Sequence, residues 1–392
     1  MQQRGETHDF IIVGGGIYGA AVAWELSRRG TDTLLLEAGT IASGASGGLG
    51  KRGVRANGRD VRELPLMRMA YELWPGLADA IGAPTGYERT GGLHLFERED
   101  VDSARSAWAS APARQWTQQR HGIPTELLNR AAVMSLEPAL QDEITGALYC
   151  PLDGIADHTA TTRGLAQAAQ HQGAEIREHT PVADLEREDE TVTAVISTAG
   201  ERIGVRKAVL LLSNTHVPHF VASRLGVTLP AWTMLPQVLL SAPLDSMPVR
   251  HLIGHESRVL AIKVIDGTRI MISGGWHGWR NPVTGVNETI SEQVRANVAE
   301  AIATYPSLEG ITIEEADASR SESVTVDGIP IIDRLPGARN MLIGTGWSGH
   351  GFAISLAVAR LLSDWVERGA EQEPPELLCP FSYSRFMPTG QA

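Results

Sequence analysis

Cysteine is almost missing from this chain. Its 392 residues include two, Cys150 and Cys379. Two cysteines exclude a disulfide framework and a cysteine-rich zinc centre, so the pair reads as two small buried or half-buried side chains, and no metal site is expected. Lysine is scarce too, with Lys51, Lys207 and Lys263 alone. Positive charge is outweighed, 34 Lys and Arg against 46 Asp and Glu, for a formal net charge of −12. That balance argues against nucleic acid as a partner and against a basic membrane-surface anchor. Long apolar runs are lacking: the stretch from Phe10 to Leu26 is broken by Gly14, Gly15, Gly16 and Gly19 and carries Glu25, so no membrane span is expected. No basic segment leads into an apolar one at the start, and the expected location is cytoplasmic. There is no internal repeat and no low-complexity tract.

What is present suits a folded chain. Hydrophobic residues make up 43% and charged residues 20%, enough to build a core, and the length suits two to three domains. Phe10 to Val13 reads as a buried strand, Ile17 to Arg29 as a helix closed by Gly30, and Thr33 to Leu36 as a second strand. Further along, the pattern predicts helices over 64–81 (despite Pro75), 103–120, 159–172 and 288–305. It predicts strands over 90–96, 174–177, 191–198 and 208–212, and a strand-rich stretch from 230 to 273. A last strand over 340–343 runs into Gly344-Thr345-Gly346-Trp347-Ser348-Gly349-His350-Gly351, and a long amphipathic helix follows over about 352–367.

Gly14-x-Gly16-x-x-Gly19 sits between the first strand and the first helix, and Glu37 ends the second strand 18 residues after Gly19. In that context the glycines have distinct tasks. Gly14 permits the tight turn, Gly16 lets the backbone approach a pyrophosphate, and Gly19 lets helix and strand pack closely. The helix N-terminus at Ile17 offers free N–H groups and a positive dipole end, and a carboxylate at Glu37 can accept from ribose hydroxyls. Ala38 and the small-residue loop Ser43-Gly44-Ala45-Ser46 then continue toward a second part of an extended ligand, which favours FAD over NAD.

On the segments DFIIVGGGIYGAAVAWELSRRG, LLLEAG, SGAS, VDGIPIID (326–333) and NMLIGTGWSGHGF (340–352), the sequence resembles the FAD-dependent D-amino-acid oxidase superfamily, nearest its glycine oxidase and sarcosine oxidase branch. The fold this implies is α/β (α+β), with a discontinuous Rossmann-like FAD-binding domain (1–85, 150–220 and 325–392) and an inserted antiparallel-sheet substrate domain (86–149 and 221–324). The resemblance implies FAD contacts at Val182 and along Gly346, Trp347, Ser348, Gly349, His350 and Gly351, where the helix N-terminus faces the flavin. It implies that Asp327-Gly328-Ile329-Pro330 turns close to the flavin. It also implies that the pair Arg52 and Arg55 grips a substrate carboxylate, although the basic run Lys51, Arg52, Arg55, Arg59, Arg62 reads equally as a solvated face.

The sequence departs from the resemblance at several places. Ala353 stands where sarcosine oxidases carry a carboxylate-pairing lysine, and Ser273 where they carry an oxygen-activating one; Lys263 on the preceding strand is a substitute. No cysteine lies in 318–326 and no histidine in 46–48, so FAD is expected to be non-covalent. Arg320, with Glu322 beside it, is a candidate carboxylate ligand. Trp276, His277 and Trp279 are candidates to line a pocket over the flavin, with Trp232 and Gln237 behind them. The expected function is FAD-dependent oxidation of the C–N bond of a secondary or N-substituted amine or amino acid, with dioxygen or another acceptor taking the electrons. Two alternatives stand beside it: 2-hydroxy-acid oxidation with His277 or His350 as base, and the FAD subunit of a hetero-oligomeric dehydrogenase. A homo- or hetero-oligomer is compatible with either.

Overall fold

The computed structural model describes residues 6–48, 50–98 and 107–388. Two large sheets organise it. In the first, the strand Thr7–Val13 pairs in parallel with Arg202–Leu211 on one side and Thr33–Leu36 on the other. Parallel pairing continues outward to Met341–Thr345 and to Glu175–Arg177. Ile331–Arg334 closes one edge antiparallel, and the hairpin Val182–Glu188 with Thr191–Ser197 joins the N-terminal half of Arg202–Leu211. The central strands are buried on both faces, as their unbroken apolar runs require.

The second sheet has eight strands, running from Ile313–Asp317 through Val238–Ser241, Ile270–Ser273, Ala261–Val264, Leu252–His255, Gly92–Glu97 and Ile144–Cys150 to Glu126–Asn129. It is antiparallel except at one seam, where Leu252–His255 runs parallel to Gly92–Glu97. Its outer face packs on the helix Ser291–Thr304 through a core that includes Leu239, Ile262, Ile272, Ala301 and Tyr305.

The periodicity over 64–81 does not survive as one helix. Pro75 has no N–H and disfavours helical geometry at Trp74, so Leu64–Leu73 ends there and a short helix, Leu77–Ile81, restarts after Gly76. The strand expected over 208–212 is longer, Arg202–Leu211, because the neighbouring hairpin extends its pairing. The helix expected from 103 is seen as Ala107–Arg120; 103–106 lie outside the described residues. Cys150 is buried, whereas Cys379 is exposed and not half-buried. Among the described residues no helix is long and apolar enough to cross a membrane.

Candidate active site

The first strand delivers the chain into the glycine turn. Gly14 has φ +113°, and a Cβ there would lie 2.9 Å from the Leu212 backbone. At Gly19 a Cβ would sit 1.8 Å from the carbonyl oxygen of Gly14. Both positions therefore demand glycine. The helix Ile17–Ser27 begins at Gly16 with no side-chain cap and no acid in its first turn, and Ile17 packs on the core below. Its leading N–H groups are left for another acceptor. Glu37, at the end of its strand, accepts from the Gly15 N–H at 2.6 Å and the Gly39 N–H at 2.7 Å. His179 and Thr180 donate to the carbonyls of Gly39 and Glu37, which brings Val182 to the acid's side of the sheet.

A second helix N-terminus lies nearby. The chain leaves Met341–Thr345 through Gly346 (φ +73°), Ser348 (φ +52°) and Gly349 (φ +78°) into the helix Gly351–Arg368. That helix also starts without a side-chain cap or a first-turn acid, at His350. Trp347 stacks on Tyr18 of the first helix with ring centroids 3.6 Å apart and planes 9° off parallel, and the Tyr18 hydroxyl donates to Gly351 O. One aromatic stack thus binds the two glycine motifs together. Arg59 braces the same corner. Its Nη2 donates to His350 O at 2.6 Å, Nε to Arg55 O at 2.6 Å, and Nη1 to the buried Glu63 at 3.1 Å. Burial, then the cations Arg55 and Arg59, push the His350 imidazole well below its ordinary range, so it is neutral at pH 7.

The loop after Glu37 is clamped from two sides. The Arg52 Nη2 donates to the carbonyls of Ser46, Gly47 and Gly48, and Nη1 to Lys51 O. The Ser46 hydroxyl donates to the buried Glu322 at 2.5 Å, which also accepts from Asn214. Glu322 lies on the strand Glu322–Thr325, and Ser348 N–H donates to Ser323 O on that strand, so the loop and the C-terminal motif share one support. Burial raises the Glu322 carboxyl above its ordinary value. Burial and then Arg320 lower Arg52 to about 10. The Asp327 turn (Gly328 φ +76°) is braced rather than open, because Asp327 pairs with Arg385 at 3.0 Å and Arg62 at 3.3 Å.

The candidate residues thus fall into two groups. Gly14, Gly16, Ile17, Gly19, Glu37, Ala38, Ser43, Gly44, Ala45 and Ser46 form one continuous rim, joined to Gly346–Gly351 by the Tyr18–Trp347 stack. The basic run is not a solvated face: the side chains of Arg52, Arg55 and Arg59 are drawn inward, and Arg62 alone stays substantially exposed. Trp276 to Trp279 follow the strand Ile270–Ser273, and His277 bridges to Pro236. Trp276 donates its indole N–H to Val259 O, His277 is exposed, and Trp279 (44% exposed) sits in a two-stranded hairpin with Asn287–Glu288. Arg320 is half-buried, and Gln237 is buried with its Oε1 unsatisfied. The supports Tyr18, Arg59 and Glu322 carry no roles in the sequence reading. The contacts that define them reach far along the chain: 333 residues from Tyr18 to Gly351, 291 from Arg59 to His350 and 276 from Ser46 to Glu322.

This frame fits FAD. A Cβ at Gly16, Gly44 or Gly349 would project into open space with no protein atom within 4 Å. Two helix N-termini without side-chain caps leave N–H groups for the anionic parts of an extended ligand, and the Glu37 carboxylate lies against the first of these turns.

The chain matches the family model for FAD dependent oxidoreductases (DAO) over residues 9–365. It is 28% identical to a glycine oxidase of Geobacillus kaustophilus over 390 residues, covering 97% of both chains. It is also 28% identical to a sarcosine oxidase subunit beta of Rhizobium meliloti over 386 residues, covering 97% of this chain and 88% of that one. Among solved structures, L-proline dehydrogenase from P. horikoshii superposes with a TM-score of 0.84 at 23% identity, covering 97% of this chain and 98% of the other. With the family model spanning nearly the whole chain and both glycine motifs in place, the protein belongs to the DAO family of FAD-dependent oxidoreductases.

Proposed function

We propose that this enzyme oxidises the C–N bond of a secondary or N-substituted amine that carries a carboxylate. Bound non-covalently, FAD supplies the hydride acceptor. The substrate amine binds neutral, its α-hydrogen leaves as hydride, its N–H proton goes to solvent, and water hydrolyses the resulting imine to a carbonyl compound and a smaller amine. Such a step needs orientation and a complementary field more than an acid–base dyad. The observation that carries the reading is the inward-turned basic run, in which Arg52 holds the loop that shapes the FAD rim; Arg55 and Arg320 are the guanidiniums we propose for the carboxylate. Neutral His350 and the end of the helix at Gly351 would flank the flavin side. The domain division set out from the sequence is proposed with it, one sheet carrying the FAD frame and the other closing over the substrate.

A second reading, an FAD subunit working through a partner's cofactor, is favoured by Trp232 (52% exposed) on the strand Ala231–Met234 and Trp279, whose segments meet at the Pro236–His277 bridge, and by the likeness to a sarcosine oxidase subunit. Product analysis decides between the readings. Amine turnover by the isolated chain in air, with a carbonyl product and peroxide, is expected of an oxidase. Turnover that needs an added dye points to the partner-dependent form. No carbonyl product under either condition would refute amine oxidation.

A further inference from the structure

The last described segment folds back onto the turn at Asp327. After the helix Gly351–Arg368 the chain makes two short helical turns, Glu376–Phe381 and Tyr383–Phe386. Leu378 and Phe381 are buried in the core that also holds Ile329 and Ile332. The edge strand Ile331–Arg334 anchors the join between the two turns, where Asp333 Oδ2 accepts from the Ser382 hydroxyl at 2.5 Å and from the Tyr383 N–H at 2.8 Å. Arg385 then engages every N–H of its guanidinium. Nη1 donates to Phe381 O and Ser382 O inside the segment. Nε and Nη2 grip the Asp327 carboxylate as a fork, each at 3.0 Å, and Nη2 also donates to Ile329 O at 2.9 Å. The Arg385 side chain is 13% exposed. Burial works against the Asp327 carboxyl, but Arg385 and then Arg62 hold it below its ordinary range.

These contacts lead into the FAD frame. Ile329 O also accepts from the Thr325 hydroxyl at 2.6 Å, so one carbonyl joins Arg385 to Thr325. Thr325 ends the strand Glu322–Thr325, and its N–H donates to Ser348 Oγ at 3.3 Å. The Ser348 N–H returns to Ser323 O at 3.1 Å. Thr325 also fills the space beside Gly346, where an added Cβ would fall 2.3 Å from its methyl carbon. Ser348 is a non-glycine residue at φ +52°, a conformation it keeps only while its surroundings hold it. From the other side, Arg62 reaches Asp327 at 3.3 Å, three residues after Arg59, which holds His350 O. The Asp327 turn is thus gripped by one arginine from each side. A lysine ammonium at 385 could not meet both Asp327 oxygens and the Ile329 carbonyl together, because it lacks the planar fork.

We propose that Arg385 is a positioning residue for the cofactor. Through Asp327 and Ile329 O it sets Thr325, and Thr325 sets the turn Gly346–Gly349 that receives FAD. No choice of substrate enters this role, so it stands or falls apart from amine oxidation. The holoenzyme, freed of unbound flavin, is diluted, and the rise in flavin fluorescence gives the rate of FAD release; far-UV circular dichroism checks that each variant is folded. Arg385→Met should release FAD about tenfold or more faster than the parent. Arg385→Lys should fall between the two, since it keeps the charge but not the fork. Tyr383→Phe removes only the bond from the same segment to Thr228 O, and it should release FAD within about twofold of the parent's rate. Ser348→Ala cuts the same path at its far end. Combined with Arg385→Met, it should fall short of the product of the two single effects by about threefold or more. Release from Arg385→Met or Arg385→Lys at the parent's rate would overturn the proposal. Equal acceleration by Tyr383→Phe, or single effects that multiply in the double variant, would overturn it as well. Should Arg385→Met lose its flavin during purification, Arg385→Lys carries the same comparisons.

Discussion

At the scale of single residues, the FAD frame depends on positions where a side chain has no room. Gly19 is the sharpest: a methyl group would fall 1.8 Å from the Gly14 carbonyl oxygen, so helix and turn would have to part. Gly19→Ala should purify with a flavin-to-protein ratio below about one tenth of the parent's, because the pyrophosphate turn cannot close. Absorbance of the flavin against protein checks this, and a fully yellow Gly19→Ala protein would contradict it. These glycines were legible in the sequence because their geometry is local. Arg52 was legible only in part. Its position in the basic run suggested a carboxylate grip, but its guanidinium is turned onto Ser46, Gly47 and Gly48, a contact that depends on how the loop folds back. Lys263 stood out by scarcity and by its place on the strand before Ser273. Its burial follows from strand pairing that no local pattern announces.

Between elements, small braces set the site. The buried Arg59–Glu63 pair lies one turn apart in sequence, yet Arg59 also holds the carbonyl of His350 at the start of the final helix. Arg59→Met would strand the Glu63 carboxylate in the interior and free that helix end. A loss of about 3–5 kcal/mol in chemical denaturation of the holoprotein is expected, with weakened flavin retention. The second sheet has a comparable brace toward its outer elements. Hydrogen bonding from His94, against the cost of burial and with Arg114, holds Glu256 at about 2, below the 4.5 of a free glutamate. Burial works against Glu97, but His255 and Arg258 outweigh it and bring it to about 2 as well. Both carboxyls are depressed in the folded state. Their stabilisation is present above pH 4.5, shrinks as pH falls below that value, and is lost by about pH 2. After allowance for solvent screening, each contributes about 1–2 kcal/mol. Melting temperature should therefore drop steeply between pH 4.5 and 2, and Glu256→Gln should flatten part of that slope. An unchanged slope would show that the pair carries no linkage.

Over the whole molecule, the first sheet gathers strands from both ends of the chain and from 175–211, and the second gathers strands from 92–150 and 238–317. The glycine motifs revealed the first sheet's purpose, since strand, turn and helix follow one another in sequence. The second sheet was less legible. Its parallel seam joins Leu252–His255 to Gly92–Glu97 across about 160 residues, and its edge strand Ile313–Asp317 returns after a long helix. Periodicity identifies such strands but does not order them. The interrupted helix over 64–81 failed for a local reason, Pro75, whose effect the apolar pattern had masked. The most direct test of the central claim is the visible spectrum of the purified holoprotein under anaerobic conditions, before and after adding a panel of secondary amino acids, and separately the matching 2-hydroxy acids. The account expects a yellow protein bleached by the amine and untouched by the hydroxy acid. Bleaching by the hydroxy acid alone would contradict it.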